Sequence, residues 1–479
     1  MDAPHSDANW LTSSKSMYQP RDLDWQKMLQ NYRFIYQRLF AGTLLVVIFL
    51  SNLALSQLKT IATVAEAVPL ASLEELSSNQ SNSIPTSHGN GSLSLADLEA
   101  MALQCHPVVQ RANALANAAR GRALQVGLQP NPNIGFLGQQ LASGGRAEQY
   151  GVTLDQEFVV RNKLSLNRAT VMQEVRQLEQ DAVAAQQRVL NDVRIGFYKV
   201  LRAQQQIDAN RQLVEISEKG VAVAEALLKA QEVGRVDTLQ AAIEVESAKI
   251  QLQNAENRYR AAWQDLSAVS GQPMLTPQPL AGDLFSPAVQ FDFDAELNRL
   301  QQQSPELYAI VASIDRARTN LRRQQIETRP NVTVQGLVNW RDNGTSGDPN
   351  AGIAITVPIP VRNRNQGAIQ EARYQVFAAE QQFTQRQLEL RQRLASAFER
   401  YGNSQQQTER YRETILPKAE ETLKLVQKIY ESGEVNFVNL LTAQRTYIQS
   451  RLAYLEALET LRIAETEIQG LLLRDSLSR

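Results

Sequence analysis

Three histidines, His5, His88 and His106, and one cysteine, Cys105, are the side chains of this 479-residue chain best suited to metal ligation or nucleophilic attack. They are scattered, and none has a second ligand at the short spacings that metal sites use. A single cysteine excludes an intrachain disulfide and any CxxC motif. His106 stands directly before Pro107 and reads as a residue at the start of a helix. The carboxylate pairs Glu244/Glu246 and Glu420/Glu421 have the makings of general acid/base chemistry. They fall in the polar positions of helical patterns, where a solvated face is the ordinary outcome. No phosphate-cradling loop, HExxH, GxSxG or dinucleotide fingerprint occurs. With 49 basic and 50 acidic residues the formal net charge is −1, so no basic field advertises nucleic acid. The expectation is a non-enzymatic chain with no catalytic residue, no cofactor, no metal site and no nucleic-acid partner.

Function must then reside in architecture, and the sequence states its architecture twice. HPVVQ at His106 and SPELY at Ser304 both open helical stretches. Pro107, Arg120, Pro132, Asn133 and Gly138 return as Pro305, Arg318, Pro330, Asn331 and Gly336, each 198 positions on. GVTLDQEFVVRNK from Gly151 pairs with GIAITVPIPVRNR from Gly352, an offset of 201, which matches Arg161-Asn162 with Arg362-Asn363. AQEVGRVDTL, with Gly234, pairs with YESGEVNFVN, with Gly433, an offset of 199. Three ordered matches at nearly one offset indicate a duplicated unit.

Each unit runs in the same order. A short helix (about 93–104 and 293–303) precedes a Pro-initiated helix ending near 128 and 328. Two strands follow, about 133–141 and 150–160, then about 331–341 and 352–361. Tyr150, Val152, Leu154, Phe158 and Val160 alternate with Gly151, Thr153, Asp155 and Glu157. Ile353, Ile355, Val357, Ile359 and Val361 alternate with Gly352, Ala354, Thr356, Pro358 and Pro360. Period-two alternation over about ten residues suits a transmembrane β-strand or a half-buried soluble hairpin. Long helices come next, roughly 163–232 and 364–431, each on the order of 100 Å. Pro417 should break the second, and Glu218 with Gly220 should weaken the first more mildly. Glycine turns at 234–237 and 433–436 reverse the chain into return helices over about 237–270 and 436–475. The composition, 43% hydrophobic but only 6% aromatic, fits long helices better than a compact enzyme core.

Upstream, Leu39 to Leu50 form an apolar run behind Arg33 and Arg38. The run reads as a signal peptide, with cleavage near Ala54 or Ala65, or as a retained anchor. No cysteine stands directly behind it to carry lipid. The organisation expected is an extension with signal peptide or anchor over 1–65, a flexible linker over 66–91, a first repeat over 92–282 and a second over 283–475.

Four strands cannot close a barrel, and an open edge in lipid would leave backbone groups unpaired. Several chains must share one barrel if the strands span a membrane. Twelve strands from three chains leave a lumen, whereas eight are filled by side chains.

From about residue 92 to 475 this order resembles the TolC family of outer-membrane factors. PIPVRNRNQGAIQEAR, Pro358 to Arg373, resembles the stretch after the last strand in its cobalt-zinc-cadmium efflux subgroup. LPKAEETLKLVQKIYESGEVNFVNLLTAQRTY, Leu416 to Tyr447, resembles the family's equatorial break and hairpin tip. VVRNKLSLNRA in the first copy lacks the glycine common there. The resemblance implies a mainly α fold with a small membrane β-barrel portion, trimeric, forming a continuous α/β-barrel duct. It implies an outer-membrane channel reaching into the periplasm, with a periplasmic adaptor and an inner-membrane pump as partners. The pump selects the cargo, so heavy-metal cations, small toxic compounds and a secreted polypeptide (a type I secretion duct) stay open. A membrane-anchored coiled-coil scaffold is the reading from another class.

The site residues follow from the same comparison. Gly234, Val236, Asp237, Gly433, Val435 and Asn436 at the tips would meet the adaptor. Gln240, Ile243, Asn439 and Thr442 occupy the places where some members narrow the pore with acidic residues, so a polar constriction is expected here. Leu154, Phe158, Ile353, Ile355 and Val357 would face the bilayer.

Overall fold

A computed structural model describes residues 92–478, apart from 143, 145–147 and 343–348. The apolar run at 39–50, the linker, His5 and His88 lie outside the described residues.

Helix starts are encoded locally. β1 (Leu93–Ser94) leads into α1 (Leu95–Cys105), where Ser94 and Asp97 form a reciprocal capping box. α2 (Pro107–Gln125) opens with His106 as its cap: imidazole Nδ1 accepts from the Val108 amide at 3.3 Å. His106 is thus a capping residue, and burial pushes its pKa below the ordinary value, partly offset by the Asp192 carboxylate. In the second repeat Asp292 caps α5 (Phe293–Gln303), and Pro305 opens α6 (Pro305–Glu327).

The strands are β2 (Asn133–Gln139), β3 (Gln149–Phe158), β5 (Val332–Asp342) and β6 (Asn350–Thr356). They form one antiparallel sheet in the order β2-β3-β5-β6. β4 (Leu280–Ala281) pairs with β1 in a small parallel ribbon. The alternation at 352–361 overstated the last strand, which stops at Thr356. Pro358 and Pro360 have no N–H to offer a ladder. Val357 therefore lies one residue beyond the strand rather than within it.

The long helix of the first repeat, α3 (Lys163–Lys229), is unbroken for 67 residues, about 100 Å. The mild break expected at Glu218 and Gly220 does not occur: Gly220 is buried, and a Cβ there would meet Gln444 and Phe437 at ordinary contact distance. The second repeat does break. α7 (Gln366–Arg410) passes through a π-helical turn, Tyr411–Ile415, into α8 (Leu416–Glu431), with Pro417 in the first turn of α8. Pro417 has no amide hydrogen for the helical ladder, and the wider turn accommodates that missing bond. α4 (Arg235–Val269) and α9 (Phe437–Gln469) return from the tips.

Packing puts the helices in a layer that continues the sheet. Near the strands the order is α2–α3–α6–α7. Towards the tips it is α4–α3–α9–α8. Between these levels the repeats interlock. Leu98, Val193, Phe197, Trp263 and Leu266 form one core, and Leu300, Leu390, Leu394, Tyr401 and Leu461 the other. Glu306 is buried among Arg188 (2.8 Å), Arg393 (3.2 Å) and Arg386 (3.3 Å), which joins α3, α6 and α7. Burial alone would raise its pKa; the three guanidiniums outweigh burial and hold it below the usual carboxylate value. Asn191 donates to the carbonyls of Gly470 and Leu473, tying the end of α9 to α3.

Candidate functional site: an amphipathic sheet and two hairpin tips

The register sorts the sheet into two faces. Ile134, Leu154, Gly336 and Ile353 lie opposite one another across the four strands, and Phe136, Val152, Val338 and Ala351 form the next row on the same face. Ile134 is 78% exposed, Leu154 50% and Ile353 63%. Phe136 gathers Trp340 and Tyr150 at ring distances of 5.9 and 6.4 Å at the loop end of this face. Phe158 and Ile355 lie on this face near the helical end. From Tyr150 to Phe158 the strand covers about 26 Å. At the usual tilt of a barrel strand this rises roughly 20 Å, comparable to the apolar band of an outer-membrane barrel.

The other face carries Asp155, Glu157, Gln335, Asn339 and Thr356, with Leu137 and Leu337 among them. Its relief is low. Thr153 is 9% exposed and lies across Gly135, where a Cβ would come within 2.8 Å of its hydroxyl. Asn339 lies the same way across Gly151. Gln335 donates to Asp155 (2.6 Å) and Asn331 to Glu157 (2.7 Å). Thr153, which alternation alone makes an open polar position, is a packed one.

A polar collar joins sheet to helices. Lys163 is buried, donating to Asn331 (2.9 Å) and paired with Glu327 (3.4 Å). Asn162 (φ 59°) and Asn365 (φ 57°) cap the two long helices in the left-handed conformation. The partner of Arg161-Asn162 is therefore Arg364-Asn365, not Arg362-Asn363. The doubled sequence RNRN fits either alignment, and the backbone conformation selects the later one.

The tips shift in the same way. In the second hairpin Gly433 (φ 77°) donates to the Tyr430 carbonyl and Glu434 to that of Ile429, a Schellman turn. In the first hairpin these bonds come from Gln231 (φ 65°) to Leu228 and from Glu232 to Leu227. Gly234 (φ −84°) is the N-cap of α4, and its counterpart is Asn436, N-cap of α9, whose side chain accepts from Asn439 N at 3.2 Å. The expected pairing of Gly234 with Gly433 is corrected to an offset of 202. Asp237 then stands opposite Asn439, Gln240 opposite Thr442, and Val236 opposite Val438. Val236 (64% exposed) and Val438 are open. Val435 is partly buried against the cluster of Tyr430, Phe437 and Leu440 that joins the two hairpins. Asn439 and Thr442 are exposed on α9. Glu244, buried on α4, pairs with Arg445 of α9 at 2.9 Å.

Sequence reasoning missed Glu306 and Lys163, whose partners come from distant segments without a spacing signal. The aromatic trio was visible only as separate strand residues. Among the described residues no group of three His, Cys, Asp or Glu side chains is placed to hold a metal ion. No described helix is long and apolar enough to cross a membrane.

Known proteins carry the same architecture. Cobalt-zinc-cadmium resistance protein CzcC of Cupriavidus metallidurans is 26% identical over 364 residues, 74% of this chain and 84% of the relative. The outer-membrane channel OprN superposes with a TM-score of 0.67 at 17% identity, covering 79% of this chain and 89% of that one. The channel CusC gives 0.65 at 15%, covering 82% and 96%. VceC of Vibrio cholerae gives 0.64 at 16%, covering 79% and 96%. Residues 98–272 and 297–472 match the outer membrane efflux protein family, one match in each repeat. The chain belongs to that family: it is an outer-membrane efflux channel component of TolC-like fold.

Proposed function

We propose that three copies of this chain close one twelve-stranded barrel and form a passive duct. In this reading a periplasmic adaptor meets the hairpin tips, and an inner-membrane pump supplies cargo and energy. The observation that carries the reading is the four-stranded sheet, apolar on one face, with β2 and β6 left as edges. Such edges are untenable in lipid, and edge-to-edge joining of three copies removes them. The helical layer supports the same closure. α2 presents Leu115 and Leu124, with Leu128 just past its end, and α7 presents Tyr374, Phe377 and Leu388, on the two outer elements near the sheet.

The tips around Gly234, Val236, Asp237, Gly433, Val435 and Asn436 are the adaptor-binding surface in this proposal, with Val236 and Val438 its open apolar contacts. Asn439 and Thr442, with Asp237 and Gln240, border the pore mouth. The similarity to a cobalt-zinc-cadmium resistance protein favours divalent metal cations as cargo. The chain acts as a conduit, not an enzyme.

The test has two arms. Purified full-length chain in detergent should have the protein mass of three copies, and a monodisperse monomer with native circular dichroism would overturn the assembly. A deletion strain should gain sensitivity to zinc, cobalt or cadmium, restored by the gene. Unchanged tolerance to all three, with sensitivity to organic toxicants instead, would replace the cargo.

A further inference from the structure

Resting on the three-copy reading, we infer that neighbouring protomers are zipped together at their periplasmic ends by an apolar seam. In this seam Leu239, Ile243 and Ile250 of α4 lie against Ile429, Leu425 and Ile415 of the next copy.

α4 and α8 are the outer elements of the layer at the tips, so among the described residues each has one flank without a packed neighbouring helix. Leu239, Ile243 and Ile250 are spaced by four and seven residues, a single stripe on a helix. All three are exposed. The stripe lies about half a turn around α4 from Ala241, Val245 and Ala248, which pack inward. It therefore points away from α3, along the layer. On the other edge, Leu425 and Ile429 sit one turn apart on α8, and Ile415 is in the π turn above. They too are exposed.

The two edges match in height. Counted from Arg235, where α4 begins, Leu239, Ile243 and Ile250 stand about 6, 12 and 22 Å from the tip. Counted from Glu431, where α8 ends, Ile429, Leu425 and Ile415 stand about 3, 9 and 24 Å from it. Each level differs by about 3 Å or less, within the reach of one side chain.

Two of the lysines beside the stripes are satisfied within their own helices. Lys249 pairs with Glu246 at 2.9 Å and Lys424 with Glu420 at 2.7 Å, each within its own helix. A second copy is also the occupant that continuity demands. β2 followed by α2 and α4 lines one side of the protomer, and β6 followed by α7 and α8 lines the other. A joint that closes the sheet brings α4 beside α8 of the next copy. Ile243 then belongs to this seam rather than to the pore constriction.

Cysteines at Ile243 and Leu425, in a Cys105→Ser chain purified whole, test the seam. Mild oxidation should produce covalent dimers and trimers on denaturing gels, and each single variant should give no trimer. Ile243→Glu should raise single-channel conductance in planar bilayers several-fold. A native trimer that fails to cross-link, or whose Ile243→Glu form conducts like wild type, overturns the seam and leaves the assembly standing. Cross-links from Ile243→Cys to a co-expressed adaptor instead of a second copy overturn it as well. A monomeric native mass removes the assembly and the seam together.

Discussion

In the proposed barrel, Leu154→Arg places a guanidinium at the centre of the sheet's apolar face. Leu154 is four residues from Tyr150 and four from Phe158, with Ile134 and Gly336 opposite it on the neighbouring strands. It therefore sits near the midplane of the roughly 20 Å band. A charge at such a position costs about 2–4 kcal/mol per chain, a roughly 30-fold to 1,000-fold loss in folding equilibrium. Phe158→Arg, at the rim of the same face, should cost about 0–1 kcal/mol. Thr356→Arg is the control for the opposite face, because Thr356 is exposed there; Thr153, packed over Gly135, would confound charge with overpacking. Urea unfolding of chains refolded into vesicles measures the three costs, and outer-membrane abundance gives the cellular counterpart. The reasoning requires Leu154→Arg to exceed both others by at least about 1.5 kcal/mol. Equal costs at Leu154 and Thr356 would refute it and make the sheet a soluble hairpin pair.

Further outcomes follow from the interlock and the tips. Glu306→Gln removes the carboxylate shared by three arginines, of which Arg386 keeps Glu389 and Arg393 keeps the Leu472 carbonyl, and should lower stability by about 3 kcal/mol at neutral pH, measured by denaturant unfolding. The guanidiniums depress the Glu306 pKa in the folded chain, so its contribution is present above the ordinary carboxylate value and fades as pH falls through the depressed one. The gap between wild type and Glu306→Gln should therefore shrink below about pH 4, and a gap constant from neutral pH to pH 3 would contradict this. Gln231→Gly relieves a left-handed glutamine and should stabilise by about 0.5–1 kcal/mol, whereas Gly433→Ala should destabilise by about 1 kcal/mol; thermal unfolding distinguishes these signs. Val236→Glu should abolish efflux while trimers still reach the outer membrane, and normal metal resistance in that variant would place adaptor contact elsewhere.

Most of the architecture was legible because it rests on period and punctuation. Alternation in Val152-Thr153-Leu154-Asp155 gave the strand faces, and Pro107 and Pro305 gave helix starts that the structure repeats to the residue. Errors arose where one residue type serves two geometries. Glycine can end a helix or begin one: Gly433 does the first and Gly234 the second, so matching them by identity shifted the hairpin register by three. Asn363 and Asn365 are interchangeable in sequence, and only Asn365 takes the left-handed cap. Alternation persists through Val357 and Ile359, but the prolines between them end the hydrogen bonding. The Glu306 cluster draws its arginines from positions 188, 386 and 393, and the proximity of those positions is a product of packing alone.

The central claim is that several copies share one membrane barrel. Single-particle imaging of the full-length protein in lipid nanodiscs tests it most directly. Threefold particles are expected, their twelve strands crossing the bilayer, with each β6 edge paired to the β2 edge of the next copy and long helices continuing below. Isolated protomers, or a four-stranded sheet lying outside the bilayer, would contradict it.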